Sequence, residues 1–414
     1  MKDDVIGDYL RELLKKLQDN SEGEVAAYIP ELAAADPEPF AVAFCTNEGQ
    51  VYAEGLREGD AEREFTIQSL SKPFAYALAL KEEGLEEVAR FVGVEPSGEA
   101  FNELSLDKAT KRPMNPMINA GAITVNQLIN GEESSVEDRV NKILEFFSDL
   151  AGRQLRIDSD TCDSELETSD RNMSLAYMLR SYGMIQDSAE DAIVSYVKQC
   201  SIMVTVSDLA MMAATLANGG VQPRTHKQVC SRRVAIQVQA VMASAGMYNA
   251  AGRWMASVGL PAKSGVSGGI IGTLPGRLGI AAFSPKLDEA GNSVRAKRVF
   301  EYLDRDMGLH LMAPEKQGRG AVRSISIMKD DQASGGSQGK RTVIRLQGDI
   351  DFNACEKIWR TIQEHDFESE NVTVDLEKVD EVNSVGKRMI GEFRDRLVRN
   401  GMKIEIVDPD EVLS

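Results

Sequence analysis

Short apolar segments of strand character stand at residues 40–45 and 50–54 and again at 260–270 and 279–283, while the long stretch between them carries a helical period. A chain with strands early and late and helices between closes its sheet from both ends. The expected result is an antiparallel sheet with a helical subdomain opposite. The first two segments flank Asn47-Glu48-Gly49, turn chemistry for a hairpin. Helices are predicted over 86–92, 120–129, 136–151, 174–182, 190–198, 206–217 and 233–247, and one over 295–307 packs back on the sheet. An amphipathic helix precedes the first strand, with Val5, Tyr9, Leu10, Leu13, Leu14 and Leu17 on one stripe.

A chain of 414 residues is longer than one hydrophobic core usually supports, so a second domain is expected. The Gly- and Pro-containing segment 312–322 reads as a linker. It divides a first domain, 1–311, from a small α/β domain, 323–414. In the latter, strands are predicted at 324–328, 342–347, 372–376 and 403–407 and helices at 353–365 and 384–399, with a flexible connection over 330–340.

Composition narrows the partners. A net charge of −18 argues against nucleic acid or an anionic membrane surface. The best candidate for a membrane span, 201–218, is interrupted by Asp208 and reads as a core helix. The segment 1–20 is charged throughout, unlike a secretory signal. Cys45, Cys162, Cys200, Cys230 and Cys355 are odd in number and widely spaced, and His226, His310 and His365 lie at no ligand spacing. A reduced, cytoplasmic setting without a zinc site is expected.

The chemistry centres on Gln68-Ser-Leu-Ser-Lys-Pro-Phe74. Ser69 and Lys72 are three apart, hence one turn apart on one helix face. Pro73 lacks an N–H and is tolerated only in a first turn, so the helix starts near Ser69, and Glu82-Glu83-Gly84 ends it. A serine there feels the helix's unpaired donors, which favour developing negative charge, and a desolvated lysine can act as its base. Ser-x-x-Lys also occurs at Ser105, Ser195, Ser326, Ser337 and Ser384, so the pair alone reads equally as an N-cap serine with a solvated lysine. With no histidine near a Gly-x-Ser-x-Gly turn, a serine hydrolase built here relies on lysine. Lys263-Ser264-Gly265 supplies a second piece: in the serine β-lactamase and penicillin-binding fold, a Lys-[Ser/Thr]-Gly strand faces the Ser-x-x-Lys helix across the cleft.

From about residue 6 to 311 the chain resembles the serine-dependent glutaminases. The strings that carry the likeness are Tyr28-Ile-Pro-Glu-Leu, the Ser69 segment, Asn115-Pro-Met-Ile-Asn-Ala-Gly-Ala-Ile123, Glu165 with Ser169-Asp-Arg-Asn172, Cys200-Ser-Ile, Met212-Ala-Ala-Thr-Leu-Ala-Asn-Gly-Gly220, Gly246-Met-Tyr248 and Leu260-Pro-Ala-Lys-Ser-Gly-Val266. The resemblance implies hydrolysis of L-glutamine to L-glutamate and ammonia through an acyl-enzyme, without metal or organic cofactor, by a homo-oligomer (dimer or tetramer). It assigns Ser69 as nucleophile, Lys72 as base, and Tyr28 and Tyr248 as proton-transfer aids, with Lys263 on the facing strand. The N–H groups of Ser69 and Val266 would form the oxyanion hole. Substrate contacts fall to Asn119, Glu165, Asn172, Tyr196 and Tyr248, with Gln68 nearby. A zwitterion's ammonium needs a carboxylate such as Glu165, and its carboxylate needs amide and hydroxyl donors.

The C-terminal segment resembles STAS domains through Gly348-Asp-Ile-Asp351, Val372-Thr-Val-Asp-Leu376 and Val382-Asn-Ser-Val-Gly386. Ser384 falls on the phosphorylatable position of that family, at a helix start where a phosphate is accommodated. Asn383 replaces the usual acid and Lys387-Arg388 replace apolar residues, so the alternative is a plain helix-start serine. A regulatory partner protein would act through this domain. Two other functions fit the residues: a different Ser-Lys amidase or esterase, and an inactive glutamine sensor.

Overall fold

The computed structural model describes residues 5–27, 29–98, 103–131, 133–313, 320–330, 339–364, 367 and 369–413. Two compact units are present, Tyr9–Tyr302 and Leu303–Ser414 with Met1–Asp8.

In the first unit, among the described residues, five antiparallel strands form a sheet in the order Val51–Gly55, Ala41–Thr46, Leu278–Phe283, Gly269–Leu274, Ala262–Ser264. The early hairpin joins the late strands through the pairing of Ala43 with Ala281, which is the closure from both ends that the strand pattern implies. The apolar stretch 260–270 is two strand pieces rather than one, because Gly268, at φ +105°, turns the chain between them.

Helix Val206–Ala217 is buried on every side and crosses the sheet at Gly279, where a Cβ would lie 2.2 Å from the Ala214 nitrogen. Its one acid, Asp208, serves as the capping-box residue and binds Arg153 at 2.7 Å. Helix Val294–Met307 brings Phe300 against Gly272 and edge-on to Trp254, with ring centroids 5.3 Å apart. The predicted apolar stripe of Val5–Leu17 is buried throughout. A small antiparallel sheet of Phe65–Thr66, Ile202–Val204 and Arg156–Ile157, absent from the pattern reading, holds the chain just ahead of Ser69. Phe65 stacks on Phe283 of the main sheet at 3.9 Å.

In the second unit the sheet order is Lys403–Val407, Asn371–Val382, Gly339–Ile350, Val322–Asp330, with two parallel pairings and one antiparallel. Helices Phe352–Glu364 and Ser384–Arg399 pack together through the stacked rings of Trp359 and Phe393, 5.1 Å apart.

Candidate active site

Ser69 lies in the 3-10 turn Gln68–Ser71, which runs directly into helix Lys72–Glu83. Pro73 falls in the first turn, as its missing N–H requires, and every residue from Gln68 to Leu80 is buried. Gln68 enters the turn at φ +48°, a conformation that costs a residue with a Cβ about 1–3 kcal/mol. It is secured by its side chain: Nε2 donates to Glu165 Oε2 at 3.1 Å.

Lys72 is fully buried, and its Nζ donates to Asn119 Oδ1 at 2.7 Å and to the Met117 carbonyl at 3.2 Å. Burial pushes its pKa down from 10.5 to about 8, against the opposing pull of Cys200 and Glu165. A substantial neutral fraction near pH 8 is what a lysine base needs. Asn119 opens helix Asn119–Leu128 and donates through its own Nδ2 to Asn172 Oδ1 at 2.9 Å, so one amide links Lys72 to Asn172. Its placement depends on Gly121, where a Cβ would lie 1.9 Å from the Asn115 carbonyl oxygen.

Glu165 comes from helix Ser159–Glu167, capped by Asp158. Burial raises its carboxyl from 4.5 to about 7, opposed by the Gln68 hydrogen bond and the charge of Lys72.

The facing wall is built on two close approaches. At Gly246 a Cβ would lie 1.8 Å from the Ala262 carbonyl oxygen, so helix Arg232–Ala245 ends against the strand Ala262–Ser264 and delivers Tyr248 at φ +54°. At Gly265 a Cβ would come within 2.9 Å of Leu70 Cγ, which brings the Lys-Ser-Gly strand onto the turn that carries Ser69. The Tyr248 hydroxyl donates to the Ser264 carbonyl at 2.9 Å and also hydrogen-bonds the Ser69 side chain, while burial raises its pKa. Lys263 is fully buried, its Nζ 4.1 Å from the centroid of the Tyr248 ring and 2.5 Å from the same Ser264 carbonyl. Burial, then the charge of Lys72, pulls its pKa well below the ordinary lysine value.

Val266 and Tyr248 line a cavity of about 730 Å³ together with Glu24, Ala26, Asn249 and Leu287. A second cavity of about 540 Å³, beside Arg253, Trp254 and Asn292, contains none of the residues named for the chemistry. Ser69, Lys72, Asn119, Asn172, Tyr248 and Lys263 are thus linked by hydrogen bonds, a ring contact and the charge interaction of the two lysines, and Gln68, next to Ser69, adds Glu165. Tyr196 is buried in the cluster that holds Ala120, Ile123 and Leu175, and it hydrogen-bonds Cys200. Tyr28 lies outside the described residues. Pattern reading missed the carbonyls of Met117 and Ser264 and the thiol of Cys200; all three residues lie inside matched strings, but a backbone carbonyl gives no signal in residue type. Ser384 is exposed at the start of its helix, with Asn383 Oδ1 accepting from the Gly386 N–H at 2.7 Å. Among the described residues no group of His, Cys, Asp and Glu is arranged to hold a metal ion, and no helix is long and apolar enough to cross a membrane.

A family model described as Glutaminase matches residues 23–312, and one described as STAS domain matches residues 335–414. The chain belongs to the glutaminase family. A glutaminase of Corynebacterium efficiens is 54% identical over 408 residues, spanning 99% of this chain and 93% of that one. The crystal structure of Mglu in its glutamate form superposes with a TM-score of 0.73 at 43% identity, covering 99% of this chain and 100% of the other. A probable glutaminase from Bacillus subtilis complexed with 6-diazo-5-oxo-L-norleucine gives a TM-score of 0.68 at 31% identity, covering 75% and 99%. The glutaminase region has the serine β-lactamase-like fold, followed by a STAS domain.

Proposed function

We propose that this glutaminase-family chain hydrolyses L-glutamine to L-glutamate and ammonia through an acyl-enzyme on Ser69. The observation that carries the reading is a buried serine whose hydroxyl meets Tyr248, one turn from a buried lysine held near pKa 8. Ser69 Oγ attacks the side-chain amide carbon, and its proton passes to neutral Lys72, directly or through Tyr248. Lys72 then gives that proton to the departing nitrogen, so ammonia leaves and a glutamyl ester remains. Water, deprotonated by the same base, cleaves the ester and restores Ser69. The N–H groups of Ser69 and Val266 stabilise the oxyanion in both steps, about 3 kcal/mol per donor. Lys263 supports the ring of Tyr248, and burial with the charge of Lys72 disfavours a second cation there.

Glu165 takes the substrate ammonium, Asn119, Asn172, Tyr196 and Tyr248 complete the amino-acid pocket with Gln68 nearby, and Tyr28 is assigned to proton transfer. The catalytic domain is assigned to 1–311, the linker to 312–322 and the STAS-like domain to 323–414, with Ser384 as the point of regulation by a partner protein. A cytoplasmic homo-oligomer, dimer or tetramer, is the assembly we assign.

Ammonia release from L-glutamine, L-asparagine and glutamine lacking its α-amino group tests the substrate. Turnover confined to L-glutamine supports this reading. Equal turnover of the analogue, unaffected by Glu165→Ala, would make the chain a general Ser-Lys amidase.

A further inference from the structure

Ser71, between Ser69 and Lys72, is reached through a chain of buried side chains that begins at Arg139. Arg139, fully buried on helix Val136–Ala151, donates through Nη1 to Asp187 Oδ2 at 2.6 Å and to Gln127 Oε1 at 3.4 Å. Gln127 Nε2 donates to Asn126 Oδ1 at 2.9 Å, Asn126 Nδ2 to Gln199 Oε1 at 3.0 Å, and Gln199 Nε2 to Ser71 Oγ at 2.9 Å. Asn126, Gln199 and Ser71 are fully buried. A guanidinium has donors and no acceptor, so Arg139 fixes which end of Gln127 faces it, and that choice sets every later amide. The last donor occupies Ser71 Oγ and turns the hydroxyl's own hydrogen toward Cys200, its other partner, which lies beside Lys72.

We propose that Gln199 is a positioning residue for the Ser69–Lys72 pair, holding Ser71 in a single orientation through an amide relay polarised by Arg139. No member of the relay is among the residues assigned to the substrate. The relay acts in two ways with one sign. It fixes the turn in which Ser69 must meet its target, where small displacements cost much rate. It also points amide donor ends toward Lys72, which favours the neutral amine. The other ionisable groups acting on Lys72 are Glu165, Cys200 and Lys263.

The inference rests on the assignment of Ser69 and Lys72 above. Its test is steady-state glutamine turnover by the full chain across pH, for Gln199→Glu, Ser71→Ala, Ser69→Ala and a control, Gln239→Leu. Gln239 is a buried glutamine bonded to the carbonyls of Leu216 and Ala235, away from the relay. Gln199→Glu keeps the shape but accepts where the amide donated. Expected are a roughly tenfold lower kcat, a KM within about twofold of wild type and an acid limb moved up by about one pH unit. Ser71→Ala, the gentler change, lowers kcat by a similar factor, and the control leaves kcat and the profile as they are. Wild-type kcat and profile in Ser71→Ala, with Ser69→Ala inactive, would overturn the relay alone, whether or not Gln199→Glu folds. Activity retained by Ser69→Ala would overturn the catalytic assignment beneath it.

Discussion

Ser69 and Ser384 each stand at a helix start three residues ahead of a lysine, Lys72 and Lys387. Around Ser69 the turn is buried, the preceding residue is held at positive φ, and the lysine is fully enclosed between Asn119 and Met117. Around Ser384 the serine is exposed, Lys387 is half-buried, and the helix start is satisfied by the Asn383 side chain. The same four-residue pattern is the proposed reaction centre in one place and a helix start in the other. The difference is desolvation: only where water is removed does an amine lose its proton near neutral pH. Chemistry resides in the enclosure, which the pattern does not encode.

The comparison can be broken by substitution in matched pairs. Replacing the base has the largest effect: Lys72→Met should lower kcat by roughly a thousandfold, whereas Lys387→Met leaves turnover within about twofold, as measured by ammonia release. Next comes pH. Lys72 must be neutral and Glu165 ionised in the free enzyme, with pKa values of about 8 and about 7. Both conditions fail as pH falls, so kcat/KM should drop by more than about a hundredfold from pH 8 to pH 6, with a slope exceeding one decade per unit below pH 7. A flat profile across that range would remove the desolvated lysine from the account.

Substituting Glu165→Gln keeps the shape and a partner for Gln68 but removes the charge. It should raise KM for glutamine by about ten- to a hundredfold with a smaller change in kcat, as loss of a charged hydrogen bond does. The smallest effect belongs to the second helix start. Asn383→Ala should cost the C-terminal unit about 1 kcal/mol in denaturant unfolding and leave glutamine turnover unchanged.

Much of this layout was legible from residue pattern, and the reasons are local. Pro73 placed the start of the nucleophile helix because a proline has one comfortable position there, and early and late strands announced a sheet closed by both chain ends. Helix Ser159–Glu167, which carries Glu165, was not read, because its exposed polar face and short length leave little period to detect. The positive φ of Gln68 and Tyr248 had no signal either, since neither residue prefers it and tertiary contacts impose it. Gln199 looked like an ordinary polar residue at the end of a helix. Its role depends on Asn126 and Ser71, which only the fold brings near.

The most direct test of the central claim, that enclosure rather than motif makes the reaction centre, is ammonia release from L-glutamine by the wild type, Ser69→Ala and Ser384→Ala, with glutamine binding followed in parallel. The account predicts that Ser69→Ala still binds glutamine but loses turnover by about ten-thousandfold or more, while Ser384→Ala matches the wild type. Turnover surviving in Ser69→Ala, or binding without any ammonia release from the wild type, would contradict it.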